Sequence, residues 1–194
     1  MLRKRDDASK LPVRVVITGG SCTGKSTLIE ELGKRGYWVS EEASRTLVRK
    51  EKETGEPLPK EAMAFQTLIY EKEIKAFNEA PEGRYCFYDR GLLDSLAYLQ
   101  ANRIKCPQSW IKTMQQLRYD LIFWAPPQRE IFKERNITDP RSYQYHLELG
   151  LKIKQAYEGF GYIVMQLPKV DKNQDIALGT LLRTDFVLQH LKTA

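Results

Sequence analysis

At 194 residues, 42% hydrophobic and 29% charged, the chain has the make-up of one globular domain with a sizeable core, not of a disordered or fibrous polypeptide. A net charge of +6 and a pI near 9.1 suit polyphosphate ligands as well as nucleic acid, so charge alone does not choose between them. No apolar run approaches the roughly 18 residues of a membrane span, and none follows the basic tail, residues 1–10, as a secretory signal requires. Cys22, Cys86 and Cys106 have neither metal-ligand nor C-x-x-C spacing, so a reducing, cytoplasmic setting is expected.

Residues 11–194 read as a single domain. Val13 to Thr18 is a β-branched run between Pro12 and Gly19-Gly20, which predicts a buried strand. Lys25 opens a helix with Leu28 and Leu32 four apart and Gly36 to stop it, and Tyr37 to Ser40 is a second strand. Such a β-loop-α-β unit implies a parallel sheet. Glu41 to Lys50 starts another helix, and Thr54 to Pro59 breaks it. Glu61 to Ala80 is expected to be a long helix with Phe65, Leu68, Ile69, Ile74 and Phe77 on its apolar face. Tyr85 to Tyr88 makes a third strand ending at Asp89, Asp94 caps a helix through Leu99, and Trp110 to Leu117 is helical. Leu121 to Ala125 is the fourth strand, closed by Pro126-Pro127. A charged helical stretch then runs from Arg129 to about Tyr157, interrupted near Thr138-Asp139-Pro140. Tyr162 to Leu167 is the fifth strand, and Ile176 to Leu191 a closing helix with Leu178, Leu182 and Phe186 inward. The fold class is α/β: a five-stranded parallel sheet flanked by helices, with a helical lid at about 128–145 between strands four and five.

The chemistry concentrates in a few places. Gly19-Gly20-Ser21-Cys22-Thr23-Gly24-Lys25-Ser26, followed by Thr27, fits G-x-x-x-x-G-K-[ST] between a strand and a helix. Glycines let successive backbone N–H groups converge on an anion, and the helix adds its positive end. Lys25 is expected to reach the β- and γ-phosphates of ATP or a similar triphosphate, and the Ser26 hydroxyl to join a Mg2+ shell. The glycine spacing does not fit the dinucleotide motif G-x-G-x-x-G. Asp89 ends a buried strand where a P-loop protein holds its metal, so Ser26 and Asp89 are the metal candidates. Arg90 beside it is suited to phosphate or substrate anions. Glu42 and Arg45, at i and i+3, share one helical face; Glu42 is the candidate general base and Arg45 a substrate contact. Among Arg129, Arg135 and Arg141, Arg135 is the expected catalytic arginine of the lid. Cys22 reads as a small loop residue, and Tyr37, Trp38, Tyr85, Phe87, Phe123 and Trp124 as core rather than base-stacking platforms.

Taken together, the loop, Glu42-Ala43-Ser44-Arg45 and Tyr88-Asp89-Arg90-Gly91 resemble the P-loop nucleoside and nucleotide kinases. Within that group the chain is most similar to small AAA-type ATP-binding domains related to NadR-type nicotinamide riboside kinase domains. Tyr119 to Phe123 before a proline-marked turn and Tyr157-Glu158-Gly159-Phe160-Gly161-Tyr162 extend the likeness over most of Arg14 to Leu191. The resemblance implies ATP with Mg2+, a lid over the phosphates and phosphoryl transfer to a small, nucleoside-like acceptor. Asp-Arg-Gly after the third strand departs from the NadR type, which leaves the acceptor open. The alternative is an ATP- or GTP-dependent switch without a metabolic acceptor. No N-K-x-D guanine-reading motif is present, and nucleic acid is not an expected partner because no RNA-binding module is recognisable.

Overall fold

The computed structural model describes residues 11–129, 132, 143–170 and 175–191. Five strands form one wholly parallel sheet in the order β2-β3-β1-β4-β5: β1 Val13–Gly19, β2 Trp38–Ser40, β3 Tyr85–Asp89, β4 Leu121–Ala125 and β5 Val164–Gln166. Seven helices are seen among the described residues: α1 Lys25–Lys34, α2 Ala43–Thr54, α3 Ala62–Asn78, α4 Leu92–Ala101, α5 Gln108–Gln116, α6 Tyr143–Gly159 and α7 Ile176–His190. Arg129 is exposed; Arg135, Arg141 and most of the expected lid lie outside the described residues.

Side chains alternate across a strand, so β1 serves two cores. Val15 and Ile17 join Leu28 and Leu32 of α1, Phe87 of β3 and Val187 of α7 on one face. Val16 turns the other way, to Tyr88 of β3, Leu93 and Leu96 of α4, and Ile153 and Tyr157 of α6. Each aliphatic side chain fully buried in this way stabilises the fold by about 2 kcal/mol over leaving it in water. The aromatic residues pack edge to face, Tyr37 on Phe87 at 5.3 Å and Trp38 on Tyr88 at 5.5 Å between centroids, as core groups do.

Two helices differ from their sequence-based faces. On α3 the buried residues are Gln66, Ile69, Tyr70, Glu73 and Phe77, while Phe65, Leu68 and Ile74 are half-buried. On α7, Leu178 and Leu182 are 48% and 49% exposed, and Gly179, Arg183, Thr184, Val187 and Leu188 face inward. The reason is Arg183, whose guanidinium donates to the carbonyls of Thr23 and Pro168 and so turns that face towards the phosphate loop. The fifth strand is also shorter than expected, and Ile163 is exposed.

Candidate nucleotide and acceptor site

Strand register sets the site. Ile17 pairs with Asp89 and Ser40 with Tyr88, so the carboxyl ends of β1, β2 and β3 lie together at one sheet edge. Asp89 shares the face of Ile17, under α1, whereas Thr18 shares the face of Val16, under α4. Gly19, Glu42, Asp89 and Arg90, far apart in sequence, therefore meet.

The phosphate loop leaves β1 at Gly19 and enters α1 through Gly24, whose φ of 82° is in the left-handed region. A Cβ there would sit 3.1 Å from the Arg183 guanidinium. Gly20 approaches α6 so closely that a Cβ would meet the His146 carbonyl at 2.8 Å. Cys22 is also left-handed, at φ 56°, and half-buried. Lys25 is buried and donates from Nζ to Gly20 O at 2.7 Å and to Thr23 Oγ1 at 3.4 Å. Burial, with the Arg90 charge second, lowers its amine to about 8. An amine so poorly solvated gains strongly from an arriving anion.

Ser26 Oγ donates to Asp89 Oδ2 at 2.6 Å, and Asp89 Oδ1 is buried without a hydrogen-bond partner. Burial, opposed chiefly by Lys25, raises the Asp89 carboxyl. A hydroxyl paired with a carboxylate whose second oxygen is buried and unpartnered is the donor set of a hard divalent cation, so Ser26 and Asp89 fit Mg2+.

Arg90 ties the site together. Its Nε donates to Glu42 Oε1 at 2.9 Å, and its Nη1 to Gly19 O at 2.9 Å and Asp94 Oδ1 at 3.0 Å. The residue is buried and left-handed, at φ 77°, a backbone cost of about 1–2 kcal/mol that these bonds and Arg90 N–H to Ile17 O offset. Glu42 also accepts from Ser44 Oγ at 2.8 Å and pairs with the exposed Arg45 at 3.0 Å. Burial alone would raise the Glu42 carboxyl, but Arg90, Lys25 and the Ser44 hydroxyl outweigh it and hold it at about 2. A cavity of ≈ 1040 Å³ opens from Ser21, Cys22 and Lys25 past Glu42 and Arg90 into the space between α2 and α3.

Sequence reasoning missed several residues here. Asp94 is no mere helix cap: it accepts from Thr18 Oγ1 at 2.7 Å, Tyr157 Oη at 2.9 Å, Gly91 N–H at 3.2 Å and Arg90. Arg183 props the phosphate loop from α7. Gln66, Glu73, Ser95 and Tyr98 line the far part of the cavity. One signal was available: Gln66 and Glu73 are polar residues seven apart on a helix whose buried stripe also holds Ile69.

Comparison with known proteins bears on the fold that carries this site. A search of curated protein sequences gave no match. Among solved structures the chain is similar to a deoxyadenosine kinase from M. mycoides with the products dCMP and a flexible dCDP bound. The TM-score is 0.60, with 17% identity over 93% of this chain and 98% of that one. The same kinase with dATP bound gives a TM-score of 0.59 and 15% identity over 93% and 99% of the two chains. A NadR protein in complex with NR gives 0.61 and 17% identity over 91% of this chain and 51% of that one. These likenesses establish the P-loop kinase fold. A family model described as an AAA domain matches residues 14–174, and the chain belongs to that AAA domain family.

Proposed function

We infer that the protein transfers the γ-phosphoryl group of ATP to a hydroxyl of a small, nucleoside-like acceptor. The observation that carries this reading is a single cavity with Lys25 at one end and an ionised, oriented Glu42 on its wall, continuing into space for a second molecule. A protein that only bound and released a triphosphate would not need that space. The kinase fold shared with a deoxyadenosine kinase supports the same conclusion.

The loop amides of residues 19–27 cradle the phosphates, and Lys25 pairs with the β- and γ-phosphate oxygens. Ser26 and Asp89 would hold Mg2+, which when bound would supply positive charge against the phosphates. Glu42 accepts a hydrogen bond from the acceptor hydroxyl and aims its oxygen at phosphorus. A carboxylate held at about 2 is a weak base, so it takes the proton late, once the oxygen–phosphorus bond is forming. Arg90 fixes Glu42 from inside the protein, while the exposed Arg45 reaches the acceptor from the cavity rim. Arg135, in the stretch expected from sequence to be the lid, is assigned the stabilisation of charge on the transferred group. The setting is cytoplasmic; no helix among the described residues is long and apolar enough to cross a membrane.

Glu42→Gln tests the reading. It keeps the side-chain shape and removes the proton acceptor, so acceptor-dependent product from ATP should fall by roughly 10²-fold or more while ATP affinity is spared. Undiminished turnover would remove Glu42 from its role. ATP binding with no product from any nucleoside would favour the nucleotide switch instead.

A further inference from the structure

The cavity continues beyond Glu42. At its far end lie three buried polar side chains that phosphoryl transfer does not use: Gln66, Glu73 and Ser95, 7%, 8% and 1% exposed. Gln66 and Glu73 are seven residues apart on α3, about two turns, and so share the stripe that faces the cavity. Ser95 of α4 donates from Oγ to Glu73 Oε2 at 3.1 Å and fixes the carboxyl group. Gln66 Oε1 is buried without a hydrogen-bond partner. Phe65, Ile69 and Tyr98 supply the apolar walls around them.

The charge around Glu73 narrows what this end can hold. The charges that act on it are those of Asp94, Arg90 and Glu42, and Arg90 is already shared between Glu42 and Asp94. Among the described residues none makes an ion pair with Glu73. Burial, with Asp94 second, pushes its carboxyl up to about 8, so at neutral pH it presents an O–H and a C=O side by side. The Gln66 amide also offers a donor and an acceptor. Flat apolar walls with paired donors and acceptors at the end complement a planar, uncharged group; a cation would first have to ionise Glu73 in a buried setting.

We propose that Glu73, oriented by Ser95, is the specificity-determining residue of the acceptor site, and that with Gln66 it hydrogen-bonds an uncharged head group carrying a donor and an acceptor side by side, as a nucleobase does. The proposal deepens the acceptor reading above and rests on it, because the subsite lies in the cavity of Lys25 and Glu42.

Calorimetric titration of the full chain with ADP present tests it, using adenosine, cytidine, guanosine and uridine as uncharged probes, nicotinamide riboside as the cationic one and ribose as the control without a head group. At least one uncharged nucleoside should bind at least tenfold more tightly than nicotinamide riboside or ribose. Glu73→Leu should weaken that nucleoside at least tenfold. Glu73→Gln, which keeps a neutral donor and acceptor, should hold it within about threefold of the wild type, and both variants should bind ADP as before. If Glu73→Leu does not fold, Glu73→Gln and the order of the probes still decide. The proposal falls if nicotinamide riboside binds tightest, if no nucleoside exceeds ribose, if Glu73→Gln weakens the nucleoside tenfold or more, or if a folded Glu73→Leu binds it as well as the wild type does. Product formation from ATP is followed with the same probes. Nucleoside binding through Glu73 without product would sink the kinase reading and leave the subsite standing; product from acceptors indifferent to Glu73 would do the reverse.

Discussion

Replacing Glu73 with glutamine should stabilise the protein, and the gain should grow with pH. In the unfolded chain this carboxyl ionises near the ordinary 4.5; in the folded protein burial and Asp94 push it up to about 8. Between those values the folded state holds a proton that the unfolded chain has lost, so Glu73 makes stability fall as pH rises through the window. Below 4.5 both states are protonated and the group contributes nothing; above about 8 the penalty is complete. Each pH unit inside the window costs up to about 1.4 kcal/mol, giving a ceiling of roughly 4–5 kcal/mol. Water in the adjoining cavity reduces this to about 2–4 kcal/mol. For a chain of this size that corresponds to a Tm higher by about 5–15 °C for Glu73→Gln above pH 8, with little difference from wild type at about pH 4. Urea unfolding of both proteins across that range measures it. Asp89, also raised by burial, shifts both curves alike and drops out of the difference. Glu42, held at about 2, and Lys25, lowered to about 8, act mainly below and above the window. Parallel curves for the two proteins would refute the argument, and a wild type that gains on the variant as pH rises would mean that Glu73 is ionised and paired.

Other substitutions probe the rest of the site. Lys25→Ala should abolish stabilisation by ATP with Mg2+, which at a hundred times Kd adds about 2.7 kcal/mol to the wild type; an unchanged thermal shift would place the phosphates elsewhere. Arg90→Met leaves Glu42 and Asp94 as buried charges without their shared cation and should cost about 3–5 kcal/mol in chemical denaturation; a loss under about 1 kcal/mol would show that water replaces the guanidinium. Gly24→Ala puts a Cβ on a left-handed residue 3.1 Å from Arg183 and should cost about 1–2 kcal/mol and weaken ATP binding, whereas unaltered affinity would mean that the loop does not depend on that contact.

The sheet was legible in the sequence because short runs of β-branched, aliphatic and aromatic residues set between turn residues are local signals, and all five strands appear within those runs. The phosphate loop was legible for the same reason: its chemistry is written in eight consecutive residues. Glu42 and Asp89 could be proposed from sequence because Asp89 ends β3 and Glu42 comes two residues after β2, at the edge where ligands bind to such sheets. Asp94, Arg183, Gln66 and Glu73 were not, because their importance comes from what lies across the fold. Arg183 is 160 residues from the loop carbonyl it holds, and Tyr157 is 63 from Asp94. Helical periodicity finds apolar stripes and assigns polar residues to water, so on α3 it finds Ile69 and Phe77 but passes over Gln66 and Glu73 in the same stripe, and on α7 it passes over the buried Arg183 and turns the half-exposed Leu182 inward.

Strand pairing explains why these residues must act as a group. Asp89 stands opposite Ile17, on the face covered by α1, where Ser26 reaches it. A slip of one residue between β1 and β3 would turn Asp89 towards α4 and away from Ser26, and would carry Arg90 out of reach of Gly19 O. Arg90 joins the end of β1, the residue that follows β2 by two positions, and the first turn of α4 through one guanidinium. The phosphate loop and Glu42 therefore share a rigid support, and a shift of either is felt by the other. Phosphoryl transfer needs that arrangement, because most of its rate comes from holding a hydroxyl and a phosphate at a fixed separation. Glu73 lies outside this strut, on α3, so under the proposed reading acceptor choice can change at one end of the cavity while the phosphate geometry at the other stays fixed.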